Sequence, residues 1–140
     1  MLSIFGYNEK KFIGFEDVKF AINNDKFLII NTLPSNKQNI LIKKTLDITK
    51  EEDIINNILY DYKTPDKSII IYGKNSCDTS VNIKYDQLYK LGFRELFIYS
   101  GGLFEWLLLN EIYGSKEIPI NSENNNINDI LNYREPISLT

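Results

Sequence analysis

The sequence predicts an α/β fold, an open parallel sheet of about five strands with helices on both faces. Two observations carry this. Short apolar runs alternate with segments of helical periodicity, the order of parts in successive βα units. The runs at 27–30 and 69–72 are apolar at every position, as in strands covered on both sides.

Each element can be justified in turn. Residues 15–22 read as a short helix with Val18, Ala21 and Ile22 on one side. Phe27-Leu28-Ile29-Ile30 is a buried strand, closed by the turn Asn31-Thr32-Leu33-Pro34. Another strand, Ile40-Leu41-Ile42, follows, with lysines where it surfaces. Thr49-Lys50-Glu51-Glu52 is a capping-box pattern ahead of a helix carrying Ile54, Ile55, Ile58, Leu59 and Tyr62. Thr64-Pro65-Asp66 breaks the chain before the strand at 68–72. Val81, Tyr85, Leu88 and Leu91 recur at spacings of four, three and three, one face of a helix, and Gly92 suits its C′ position. Leu96-Phe97-Ile98-Tyr99 is the next strand. A helix over 103–113 follows, with Leu103 at its start and Tyr113 before the closing Gly114. In the segment 121–140, Asn124-Asn125-Asn126 forms a polar loop, and Ile127, Ile130, Leu131 and Tyr133 a docking turn that completes a single domain spanning 1–140.

Composition narrows the function classes. At 140 residues with 43% hydrophobic and 25% charged content, the chain reads as one globular domain able to bury a core. A net charge of -3 offers no electrostatic footprint for nucleic acid or an anionic membrane. No apolar run reaches the roughly 18 residues needed to span a bilayer, and no signal peptide is visible. The single cysteine, Cys77, excludes an intramolecular disulfide and fits a reducing, cytoplasmic setting. With no histidine, Ser-His-Asp, Cys-His and His-based metal chemistry are excluded, and neither a metal site nor a cofactor is expected. Only Arg94 and Arg134 could form bidentate clamps for phosphate or carboxylate. Heavy use of Ile, Asn and Lys is typical of AT-rich genomes, among them those of parasites, protists and large DNA viruses.

The strand at 69–72 runs into a polar loop, Gly73-Lys74-Asn75-Ser76-Cys77-Asp78-Thr79-Ser80. Gly92-Phe93 then precedes a strand, and Ser100-Gly101-Gly102-Leu103-Phe104-Glu105-Trp106 follows it. This order of parts resembles a rhodanese-like domain, and is similar to rhodanese-like proteins of protists and giant viruses. Such domains carry Asp-x-Arg after an early strand, a Gly-His-Ile-Pro-Gly-Ala segment, a Cys-loop-Arg-helix unit, and Gly-Phe, Gly-Gly and Trp. The resemblance implies the fold over most of the chain. It departs at the chemistry: Asn31 and Leu33 stand where the acid and the arginine belong, Asn39-Ile40-Leu41-Ile42 replaces the His-Ile-Pro-Gly segment, and Gly73 stands where the nucleophilic cysteine belongs.

A sulfurtransferase or cysteine phosphatase needs a thiolate at the base of a loop of converging N–H groups, with a helix N-terminus and a cation beside it. Cys77 lies in that loop but four residues past Gly73, with the acid Asp78 next to it and Lys74 the one nearby cation. The incidental-thiol reading is therefore preferred to a catalytic Cys77. Asp78, Thr79 and Ser80 are each suited to capping the following helix. The loop Gly73, Lys74, Asn75, Ser76, Cys77, Asp78, Thr79 and Ser80 retains the makings of an anion site without catalysis. Trp106 and Phe104 are expected to be packing residues. Leu107-Leu108-Leu109 makes the 103–113 helix apolar nearly all round, covered by the C-terminal tail or by a second copy in a homodimer.

Three functional readings follow. The preferred one is a non-catalytic, rhodanese-fold binding or regulatory module that retains an anion-binding loop, its partner a protein or a small anion. The second is a sulfurtransferase, or less favourably a phosphatase, working through Cys77. The third is a structural protein that self-associates.

Overall fold

The computed structural model describes residues 9–61, 66–122 and 130–135. In chain order the elements are β1 (Phe12–Ile13), α1 (Phe15–Ile22), β2 (Phe27–Asn31), β3 (Ile40–Ile42), α2 (Ile48–Asp61), β4 (Ser68–Tyr72), α3 (Ser80–Lys90), β5 (Leu96–Tyr99), α4 (Gly102–Tyr113) and β6 (Ile120–Ser122). Two 3-10 turns, Ser35–Lys37 and Ile130–Tyr133, complete them. The expected residues Tyr62, Thr64, Pro65, Asn124, Asn125, Asn126 and Ile127 lie outside the described residues.

The main sheet is parallel throughout, in the order β1-β5-β4-β2. It has four strands, not the five expected. The strand β3 instead pairs antiparallel with β6 in a separate ribbon, Ile40 opposite Ser122 and Ile42 opposite Ile120. The distant β6 supplies the edge on which β3 pairs, and the chain beyond β3 bends it off β2. The chain turns after Ile42, Lys44 sits in the left-handed region at φ 75°, and a single bridge from Thr45 to Ile29 is what remains of the pairing with β2. The pieces β1 and β6 are too short to leave a periodic signal in the sequence.

The strand β4 lies in the middle of the sheet and is buried at every residue. Its side chains alternate between two cores. Ile70 and Tyr72 face α1 and α4, with Val18, Ala21, Leu103, Trp106 and Leu107. Ile69 and Ile71 face α2 and α3, with Ile55, Ile58, Val81, Tyr85 and Leu88. The turn holding Ile130 and Tyr133 packs onto the α4 core, while Leu108, Ile112 and Tyr113 remain exposed.

The helix ends follow from particular residues. Asp47, not Thr49, caps α2: its Oδ1 accepts hydrogen bonds from the Thr49 N–H at 2.9 Å and the Thr49 hydroxyl at 2.7 Å. The α3 terminus is as expected. Gly92 sits at φ 113°, its N–H donating to Tyr89 O and that of Phe93 to Leu88 O, the paired bonds of a Schellman cap. The Lys44 ammonium donates to the carbonyls of Ala21 and Asn24 and so closes the end of α1.

One buried phenol joins the ribbon to the sheet. Thr45 Oγ1 donates to Ile42 O, so the Tyr72 hydroxyl donates to Thr45 Oγ1 at 2.8 Å and accepts from the Ile42 N–H at 3.1 Å. Burial raises the pKa of Tyr72 above the ordinary value of 10.0. Tyr99 is raised in the same way, first by burial and then by its hydrogen bond to the Glu105 carboxylate. Both phenols keep their protons in the native state where the unfolded chain ionises. Stability should therefore be intact below pH about 10 and fall above it by about 1.4 kcal/mol per pH unit for each tyrosine. Lys44, its pKa lowered chiefly by burial, opposes this as a single, partly solvated group. Urea unfolding between pH 8 and 11.5 measures the slope, and Tyr72→Phe should remove one share of it. A flat profile to pH 11 would contradict the buried phenols.

Candidate functional site

The loop 73–80 leaves the carboxyl end of β4, the edge where open parallel sheets usually hold ligands. The structure keeps its eight residues together but turns much of its hydrogen-bonding capacity inward. Gly73 O accepts from the Leu103 N–H and Lys74 O from the Phe104 N–H, both at 2.9 Å. The leading N–H groups of α4 are thereby committed to the loop.

The carboxylate of Asp78 occupies the inside of the turn. Its Oδ2 accepts from the Lys74 N–H at 2.9 Å, and its Oδ1 accepts from the Ser80 N–H at 3.1 Å and the Ser80 hydroxyl at 2.6 Å. The Ser80 hydroxyl is also placed to donate to Thr32 Oγ1, at 2.7 Å, so its one proton is shared between Asp78 and Thr32. The capping role divides accordingly: Asp78 provides it for α3, whereas Thr79, at the N-cap position, makes no side-chain cap bond. A Cβ placed on Gly73 would lie 2.6 Å from Asp78 Oδ2 and 2.8 Å from Val81 Cγ2. A side chain at position 73 and the carboxylate of Asp78 thus compete for one space.

Asn75 is buried and faces the other way. Its Nδ2 donates to the carbonyls of Tyr133 and Arg134, and its Oδ1 accepts from the Cys77 N–H at 2.9 Å. These bonds tie the loop to the C-terminal turn, a link between residues 58 positions apart that no local pattern announces. Ser76, Cys77 and Thr79 are exposed, and Lys74 is half-buried. The thiol of Cys77 therefore lies on the outside of the loop, while its own N–H is spent on Asn75.

At the end of β2, Asn31 is buried and pairs with Gln38: Gln38 Nε2 donates to Asn31 Oδ1 at 2.8 Å and Asn31 Nδ2 to Gln38 Oε1 at 3.1 Å. Asn31 Oδ1 also accepts from the Leu33 N–H, so the residue shapes the turn. Trp106 is fully buried, its Nε1 donating to Pro119 O at 2.9 Å, with Tyr99 edge-on to its ring; this is a packing role, as expected. Glu105 accepts from the Tyr99 hydroxyl at 2.7 Å, a pairing that the sequence reading missed because strand and helix meet across a turn. Among the described residues, no three acidic or cysteine side chains converge as metal ligands would, and no helix is long and apolar enough to cross a membrane.

No protein-family model matches the sequence, and no curated protein matches it. Among solved structures, the chain is similar to a full-length protein from Lactobacillus plantarum, with a TM-score of 0.58 and 17% identity over 79% of this chain and 87% of that one. It is also similar to a single-domain sulfurtransferase from Saccharomyces cerevisiae, with a TM-score of 0.53 and 17% identity over 80% of this chain and 98% of that one. Identity that low speaks to architecture alone, and the fold is the rhodanese-like α/β one the motifs implied, with a parallel sheet of four strands rather than five between two pairs of helices.

Proposed function

We infer that this chain is a non-catalytic binding or regulatory module on a rhodanese-like fold. The observation that carries this reading is the Asp78 carboxylate folded over Gly73. It takes up the N–H groups of Lys74 and Ser80 and fills the space where a reacting side chain at position 73 would stand. A protein partner is favoured over a small anion, because those loop donors are already satisfied. The single thiol lies on the outer side of the turn, and its own N–H is held by Asn75 Oδ1 rather than aimed at a reacting group.

The rival reading, a sulfurtransferase acting through Cys77, draws on the exposure of that thiol and on the likeness to the yeast protein. A phosphatase is less favoured, since no arginine lies in the loop to hold a phosphoryl group. Intact mass after incubation with thiosulfate or a persulfide donor separates them, with Cys77→Ser as control. The expected result is no stable one-sulfur gain, from a protein whose thiol is still alkylated by iodoacetamide. A gain lost in the Cys77→Ser variant, with sulfur passed on to cyanide, would make the chain a sulfurtransferase.

A further inference from the structure

A second site lies beside the loop, on the α2–α3 face. A cavity of about 400 Å³ opens there between the end of β2, the start of α2 and the first turns of α3. We propose that it binds a small zwitterion with an apolar side chain, of the α-amino-acid class. The proposal goes beyond the loop reading and does not depend on the inertness of Cys77.

The charged part of the cavity is an ion pair, Lys84 Nζ to Glu51 Oε2 at 2.7 Å. The two side chains are mostly withdrawn from water, at 27% and 15% exposure. Such a pair contributes little to folding, because desolvation offsets most of its attraction. Among the described residues its hydrogen-bonding capacity is only partly used: the ammonium gives Glu51 one of three N–H donors, and the carboxylate keeps a second oxygen. The cavity therefore presents one cation and one anion side by side. A ligand of single charge would meet attraction from one and repulsion from the other. An α-amino acid carries its ammonium and carboxylate about 3 Å apart, a spacing set by the N–Cα and Cα–C bonds. Laid antiparallel on the Lys84–Glu51 pair, it completes a square of alternating charge, its carboxylate on Nζ and its ammonium on the Glu51 oxygens.

The remaining wall is mixed, with Asn31, Thr32, Ser80 and Gln87 beside three apolar residues, and it is the apolar part that selects the side chain. Leu33, Ile48 and Ile83 line the same cavity, and Ile83 is 61% exposed although apolar. A branched aliphatic group would cover that surface and release its water. The volume lies at the small end of ligand cavities, suited to one amino acid rather than a long peptide.

Calorimetric titration with leucine, leucinamide and 4-methylpentanoate tests the proposal. The last two lack the carboxylate and the ammonium respectively. Leucine should bind saturably, and each analogue about tenfold more weakly or worse. The paired variant Glu51→Gln/Lys84→Gln removes both charges while keeping shape, so that no uncompensated charge is left to unfold the chain; with an unchanged circular dichroism spectrum it should lose leucine binding. The absence of leucine binding at millimolar concentration, equal binding of 4-methylpentanoate, or full binding by the folded double variant would each overturn the zwitterion site. None of these outcomes bears on whether Cys77 takes up sulfur.

Discussion

Replacing Gly102 with alanine is expected to lower stability by about 2–5 kcal/mol, the sum of a strained backbone and a broken junction. Gly102 sits at φ 68°, a left-handed conformation that an L-residue adopts at a cost of about 1–2 kcal/mol. A Cβ there would lie 2.9 Å from the Cα and N of Asn75 and from Gly73 O, all backbone atoms with no rotamer to yield. The start of α4 must then move off the loop, loosening the bonds from the Leu103 and Phe104 N–H groups, at about 0.5–1.5 kcal/mol each. Gly101→Ala is the control. Its φ of -61° is ordinary, so no backbone strain arises, and the new methyl group would chiefly meet the Glu105 side chain, at the cost of displacing its carboxylate from the Tyr99 hydroxyl. Urea unfolding of both variants reads the difference. Equal stability of Gly102→Ala and wild type within about 1 kcal/mol would mean that the loop and α4 are not in the close contact described.

The other large effect lies about one turn further along α4. Trp106→Ala should lose about 3–5 kcal/mol, the range for truncating a large buried aromatic. The indole is fully buried, edge-on to Tyr99 at 6.1 Å between ring centroids, and its Nε1 holds Pro119 O just ahead of β6. Against a total stability of about 5–15 kcal/mol, such a loss brings the chain close to unfolding. Trp106→Phe keeps most of the apolar volume and leaves Pro119 O with the Lys43 N–H as its remaining donor, so it should lose about 1–3 kcal/mol from the smaller ring and the one lost bond. Thermal and urea melts rank the two variants. A Trp106→Phe variant as unstable as Trp106→Ala would shift the explanation from packing volume to the single hydrogen bond.

Together these positions show what was legible from sequence and what was not. The helix faces of α2 and α3, the buried strands β2, β4 and β5, and the cap at Gly92 are encoded by residues within a few positions of one another. Periodicity and turn chemistry suffice to read such elements. The rhodanese-like order of parts is equally local, since Gly92-Phe93 and Gly101-Gly102 mark turns that need particular backbone freedom.

The site was legible only in outline. The chain order brought Gly73 through Ser80 into one loop, but the direction of each side chain depended on partners far away in sequence. Asn75 turns inward because the carbonyls of Tyr133 and Arg134 await it, and Asp78 because residue 73 has no side chain to exclude it. The fifth strand failed for the same reason: pairing of β3 was decided by β6, some eighty residues on, rather than by its own apolar run. Local composition and periodicity thus determined which segments are helix or strand and which chemistries are excluded, because those depend on near neighbours. Tertiary structure alone decided which donors stay free, where Cys77 points its exposure, and that Lys84 and Glu51 meet in a cavity, because hydrogen bonds and ion pairs form between groups that the chain brings together only by folding.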